Sequence, residues 1–138
     1  MRVVLDTNVL LVSIGRKSPF RPIFDALLRQ RLTLVISTGI LLEYEEILAQ
    51  RNGPAVAHNV LEALNNLRNV SRHEVRYNWR LPFIDPNDQK FVDAYLAGNA
   101  DYLVSNDRHF DGLSAAGFPN VRVVSAETFL ERLSKMSG

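Results

Sequence analysis

Residues 2–10 read RVVLDTNVL. Val3, Val4 and Leu5 form a short β-favouring apolar run, and Asp6 follows at once, with Thr7 and Asn8 behind it. An apolar strand that runs straight into a carboxylate is a strand with an acid at its tip. In open α/β sheets, ligands bind outside the carboxyl ends of the strands. Every later acid is therefore judged by whether it can reach Asp6.

Outward from this stretch the pattern alternates. Val9–Ile14 continues apolar into a helix, and Gly15-Arg16-Lys17-Ser18-Pro19 is a loop by composition. Ile23, Phe24, Leu27 and Leu28 recur at helical spacing and predict a helix over Phe20–Arg29. Leu32–Ile36 is a second β run, followed by a helix over Thr38–Gln50 that Gly53-Pro54 ends. Pro54 suits the first position of the next helix, which Val56, Val60, Leu61, Leu64 and Leu67 mark as amphipathic. A short strand or an extended arm is expected within Val70–Phe83. Asp85-Pro86 opens a helix that runs to Ala97, where Gly98-Asn99 stops it. Tyr102–Val104 and Val121–Val124 are further strands, and Ser125 caps a last helix through about Leu133. Strands alternating with helices imply a parallel sheet covered on both faces. No linker, repeat or low-complexity segment interrupts the pattern, so residues 1–138 are expected to form one domain.

Composition narrows the function classes. A formal net charge of +1 means that any site for a polyanion must come from local clustering. Cysteine is absent, which excludes disulfides, thiolate metal sites and a cysteine nucleophile, and favours an intracellular, cytoplasmic setting. No apolar run is long enough to cross a bilayer, and the N-terminus lacks the regions of a signal peptide, so no membrane partner is expected. No nucleophile elbow, P-loop or dinucleotide glycine fingerprint occurs.

Most acids read as solvated helix faces: Glu45, Glu46, Glu62, Asp93 and Glu131 need no further account. Four sit elsewhere. Asp6 and Asp107 follow buried-type strands, where an Asx turn or a helix cap explains each one singly. Glu43 falls at the border of the helix face that Ile40, Tyr44, Ile47 and Leu48 share, and a border acid can snorkel to water. Asp88 lies on one stripe with Phe91, Val92 and Tyr95, so it faces inward at a helix N-terminus. A second capping acid, favoured by the helix dipole, is the competing account. Taken together the four are harder to dismiss. Two unit charges about 4 Å apart cost on the order of 4 kcal/mol at an effective dielectric near 20, so a gathering of four would take up protons or cations. With oxygen ligands and no thiolate, the cation should be hard, Mg²⁺ or Mn²⁺. Such a pocket suits phosphodiester hydrolysis.

The stretches VVLDTNVL, ILLEYEEIL, DPNDQKFVDAYLAGNADYLVSNDRHF and VRVVSAETFL, in that order, resemble a PIN domain, and within it the bacterial VapC-type toxin ribonucleases. The resemblance runs from Arg2 to about Leu130. It implies a three-layer α/β/α sandwich with a central, mainly parallel sheet, and a Mg²⁺- or Mn²⁺-dependent endoribonuclease acting on RNA. It implies that Asp6, Glu43, Asp88 and Asp107 are the catalytic and metal-binding acids. By the same resemblance Ser105 supports the site and Asn8 contacts substrate or a metal-bound water. Toxin members of the family are often homodimers inhibited by a cognate antitoxin, so both partners are expected here. Asp85 and Asp111 are additional acids whose participation the resemblance leaves open.

Other polar residues carry weaker signals. Arg16, Lys17 and Arg21 follow Asp6 on the loop side and can hold substrate phosphates; an ordinary solvated loop is the simpler account. Arg72, Arg76 and Arg80 flank Tyr77 and Trp79, on which bases can stack, although packing against a helix or a dimer partner is preferred. His58 and His73 read as structural or surface residues; His109, two residues past Asp107, could approach substrate, although a loop role is preferred. Leu42 points away from its helix's apolar face, towards another helix or a second subunit. The rival to a nuclease is a non-catalytic PIN-like module that binds RNA or protein. A phosphatase would need a second acid two residues after Asp6, where Asn8 stands.

Overall fold

The computed structural model describes residues 1–74, 86–111, 113 and 121–137. In chain order they form β1 (Arg2–Leu5), α1 (Thr7–Ser13), α2 (Arg21–Leu28), β2 (Thr33–Ile36), α3 (Thr38–Asn52) and α4 (Pro54–Asn66). β3 (Val70–Arg72), α5 (Pro86–Ala97), β4 (Tyr102–Val104), a 3-10 turn (Arg108–Asp111), β5 (Val123–Val124) and α6 (Ala126–Ser137) follow. The five strands make one sheet in the order β3-β2-β1-β4-β5, every neighbouring pair parallel.

The strands are almost wholly apolar. Val3, Val4 and Leu5 of β1, Leu34, Val35 and Ile36 of β2, and Leu103 and Val104 of β4 are all buried. A strand buried on both pleat faces needs helices above and below it, and the alternating helices provide that cover in an α/β/α sandwich. α5 lies against β1, β2 and β4, burying Phe91, Val92 and Tyr95; α2 packs on α1 and α6.

Turn chemistry sets the element ends. Ser37 Oγ accepts the Ile40 N–H at 3.3 Å and starts α3. Gly53 ends it at φ +93, a conformation that a side chain would strain. Pro54 then begins α4 at its first position. Ser125 Oγ accepts the Thr128 N–H at 3.1 Å and starts α6. Gly98, after α5, is needed for a different reason: a β-carbon there would sit 2.3 Å from Val35 Cγ1.

Several boundaries differ from the sequence reading. β5 spans two residues, Val123–Val124, rather than Val121–Val124; Val121 is buried outside the ladder. α4 begins at Pro54 as expected, whereas α3 continues past Gln50 to Asn52 and α6 past Leu133 to Ser137. The expected strand within Val70–Phe83 is β3, which ends at Arg72. Arg76, Tyr77, Trp79, Arg80 and Asp85 lie outside the described residues. No helix among the described residues is long and apolar enough to cross a membrane.

Candidate active site

The strand order reverses between β1 and β4. From β1 the chain proceeds outward through β2 to β3, then returns to place β4 on the other side of β1 and β5 beyond it. Two neighbouring strands whose continuations leave in opposite directions open a crevice at their carboxyl ends. Asp6 follows β1 and Ser105 follows β4, so both stand at that crevice. The Asp6 N–H donates to the Val104 carbonyl at 3.0 Å, which extends the ladder to the crevice itself.

Asp6 is 7% exposed. Its backbone begins α1, yet its side chain makes no capping hydrogen bond across the first turn. The carboxylate instead accepts the Ser105 hydroxyl, Oγ to Oδ2 at 2.7 Å. Ser105 is 4% exposed, and its oxygen in turn accepts the Asp107 N–H at 3.0 Å. One hydroxyl therefore joins the tips of two strands. Burial pushes the Asp6 carboxyl above the usual carboxylate range, and the charges of Asp88 and Asp107 push the same way. Hydrogen bonds from Ser105 and from the Thr7 backbone oppose them.

Asp107 and Asp88 meet through His109. The His109 Nδ1 is 3.2 Å from Asp107 Oδ1 and 3.4 Å from Asp88 Oδ2. The His109 N–H also donates to Asp107 Oδ1 at 2.9 Å, so Asp107 makes an Asx turn as well as facing Asp88. Asp88 comes from the first turn of α5, on the stripe of Phe91, Val92 and Tyr95, and its side chain is largely buried. One donor atom from each of Asp88, Asp107 and His109 lies within 4.8 Å of the others.

Glu43, on α3, contributes no atom to this group of three and is engaged at both oxygens. Oε1 pairs with Lys90 Nζ at 2.8 Å, and Oε2 accepts the Thr7 hydroxyl. Its neighbour Tyr44 is fully buried and donates its hydroxyl to the Leu5 carbonyl at 2.5 Å. Burial, followed by the charges of Asp6 and Glu43, raises the Tyr44 phenol well above its ordinary value, so it stays a donor.

The residues present fit a hard divalent cation. The donors are carboxylate oxygens with one imidazole nitrogen, and a cation among them would favour the ionised form of Asp6, which burial and then the neighbouring charges disfavour. Several side chains had no distinguishing signal in the sequence. Nothing there singles out Thr7, next to Asp6, or Lys90, two positions after Asp88. His109, read as a loop residue, stands between two acids. Asn8 is exposed in the first turn of α1, and Arg16 and Lys17 are exposed in the loop after it. Arg21 is committed elsewhere: it pairs with Asp25 at 2.9 Å, donates to the Ile14 carbonyl at 2.5 Å and covers Phe24. His58 pairs with Glu62 at 3.3 Å, and His73 Nε2 is 2.7 Å from Ser71 Oγ.

A family model described as PIN domain matches residues 2–109. The chain is also similar to the crystal structure of VapBC2 from Rickettsia felis bound to a DNA fragment from their promoter. That likeness has a TM-score of 0.62 at 18% identity, over 91% of this chain and 98% of that one. The crystal structure of DNA-bound VapBC from Salmonella typhimurium is similar with a TM-score of 0.57 at 17% identity, over 91% and 98%. At such identities these likenesses establish the fold. No curated protein sequence matches the chain.

Proposed function

This chain belongs to the PIN domain family, and from that premise we propose that it is a Mg²⁺- or Mn²⁺-dependent endoribonuclease that hydrolyses phosphodiester bonds. The observation that carries the proposal is the crowding of Asp6, Asp88 and Asp107 at the crevice between β1 and β4. Burial, and after it the charges of Asp88 and Asp107, oppose the ionisation of Asp6 at a cost in stability, and a site that binds cations gives that cost a use.

Asp88 and Asp107 are the proposed holders of the ion, with Asp6 behind them and Glu43 at their flank. When bound, the ion would lower the pKa of a water and offset the charge that develops on the phosphate. The remaining work falls to the chain. Ser105 keeps Asp6 in one orientation through its 2.7 Å hydrogen bond. Thr7 and Lys90 fix Glu43. Asp6, ionised in the presence of a cation, accepts a proton from the attacking water. Asn8 is exposed beside the crevice to meet the substrate, and Arg16 and Lys17 in the loop beyond α1 take its phosphates.

The likeness to VapBC structures supports a toxin role in a type II toxin–antitoxin pair, with a cognate antitoxin as protein partner; a homodimer is proposed as the assembly. Leu42, 61% exposed on α3, is available to such an interface.

The test is cleavage of a mixed RNA pool with and without Mn²⁺, with Asp6→Asn as control. The nuclease cuts only with the ion, and the variant does not cut. Retention of RNA without turnover in Mn²⁺ would instead make the chain a non-catalytic binding module.

A further inference from the structure

We propose that Lys90 is a positioning residue that holds Glu43 outside the inner ligand set, leaving Asp88 and Asp107 to take the ion with Asp6 behind them; this rests on the metal-dependent reading above. The argument begins with what each Glu43 oxygen already does. Oε1 faces the Lys90 ammonium at 2.8 Å, and Oε2 accepts the Thr7 hydroxyl. A carboxylate ligand must turn a lone pair to the cation, and an ammonium on the same oxygen repels that cation. Glu43 Oε1 can therefore turn to the cation only by giving up Lys90, and Oε2 is left to share its second lone pair beside the Thr7 hydroxyl.

The pair is built into the fold. Thr7 is buried in the first turn of α1, directly after Asp6. Lys90 comes from α5, whose register is fixed by Phe91 and Val92 against the sheet. At roughly 100° per residue, Lys90 lies about 200° around the helix from Asp88. Asp88 consequently meets Asp107 and His109, while the Lys90 stem runs past Gly39 to α3. The two side chains are 28% and 21% exposed, so solvent screens the pair less than an open surface bridge. A neutralised Glu43 adds no net charge to the rim, and the rim's affinity for a cation is set by the other three acids.

The experiment measures Mn²⁺ affinity of the full chain by calorimetry, with the metal-free melt as a check of folding. Lys90→Met uncovers Glu43 and should tighten Mn²⁺ binding about tenfold, the effect of one uncompensated charge near a dication in a half-buried site. Lys90→Arg keeps the cation and should match the native chain. The double variant Lys90→Met/Glu43→Gln removes a neutral pair and should stay within about threefold of it. An unchanged affinity in Lys90→Met would overturn the proposal and reduce the pair to a surface contact. A loss beyond about tenfold in the double variant would overturn it the other way, by making Glu43 an inner ligand. Failure of the native chain to bind Mn²⁺ at all is a separate result, which overturns the metal-dependent reading and this inference with it.

Discussion

Removing the Ser105 hydroxyl should cost more than a single neutral hydrogen bond. In Ser105→Ala, Asp6 Oδ2 loses a donor at 2.7 Å and the Asp107 N–H loses its acceptor at 3.0 Å. Both Asp6 and Ser105 are buried, so water does not replace the lost donor freely. A hydrogen bond to a charged group contributes about 1.5–3 kcal/mol, and a neutral one about 1. The expected loss at neutral pH is therefore about 3 kcal/mol, or a fall in melting temperature of roughly 10 °C for a domain of this size. The charged part of that loss belongs to Asp6 alone. In an Asp6→Asn background the same substitution should cost only about 1–2 kcal/mol, because the amide oxygen accepts as a neutral group. Urea unfolding of the four proteins of this cycle at neutral pH reads the coupling directly. A coupling below about 0.5 kcal/mol would refute the reasoning, since the Ser105 bond would then not depend on the Asp6 charge.

Asp6→Asn should raise the melting temperature at neutral pH while abolishing cleavage. The folded-state carboxyl is raised, so its ionised form subtracts stability above that value; the subtraction fades as pH falls towards the ordinary 3.8, and the gain of the variant should vanish there. Mn²⁺ should raise the melting temperature of the native chain, and because the ion selects ionised Asp6, its affinity should rise with pH across the same range; calorimetry in two buffers reads the released proton. Gly98→Ala should lose about 1–3 kcal/mol in urea unfolding, because the added carbon meets Val35 Cγ1 at 2.3 Å and the Ala94 carbonyl oxygen at 3.0 Å.

Legibility varied with the range of the interaction that fixes each feature. The helix starts at Ser37 and Ser125 were readable because a cap acts over three residues. The apolar strand cores were readable because burial on two faces leaves no polar alternation. Val121 and Val123 look alike in sequence, and only the strand beside them decides which residues of β5 pair. Arg21 was grouped with Arg16 and Lys17 by nearness along the chain, but helix geometry turns it onto Asp25 and Phe24. Lys90 carries no signal in the sequence because Glu43 comes from another element, and for His109 the sequence shows only that Asp107 is near, not that Asp88 of α5 meets it.

The amino-acid order alone determined alternating strands and helices, a parallel sheet, and an acid at the tip of β1. Periodicity and capping are local, and they survive in any chain with the same neighbours. Tertiary structure decided the rest: which strand lies beside β1, hence that Ser105 reaches Asp6, that His109 stands between Asp88 and Asp107, and that Lys90 takes Glu43. Charges interact through space, and only the packing of α5 and β4 against β1 brings residues so far apart along the chain within range of one another.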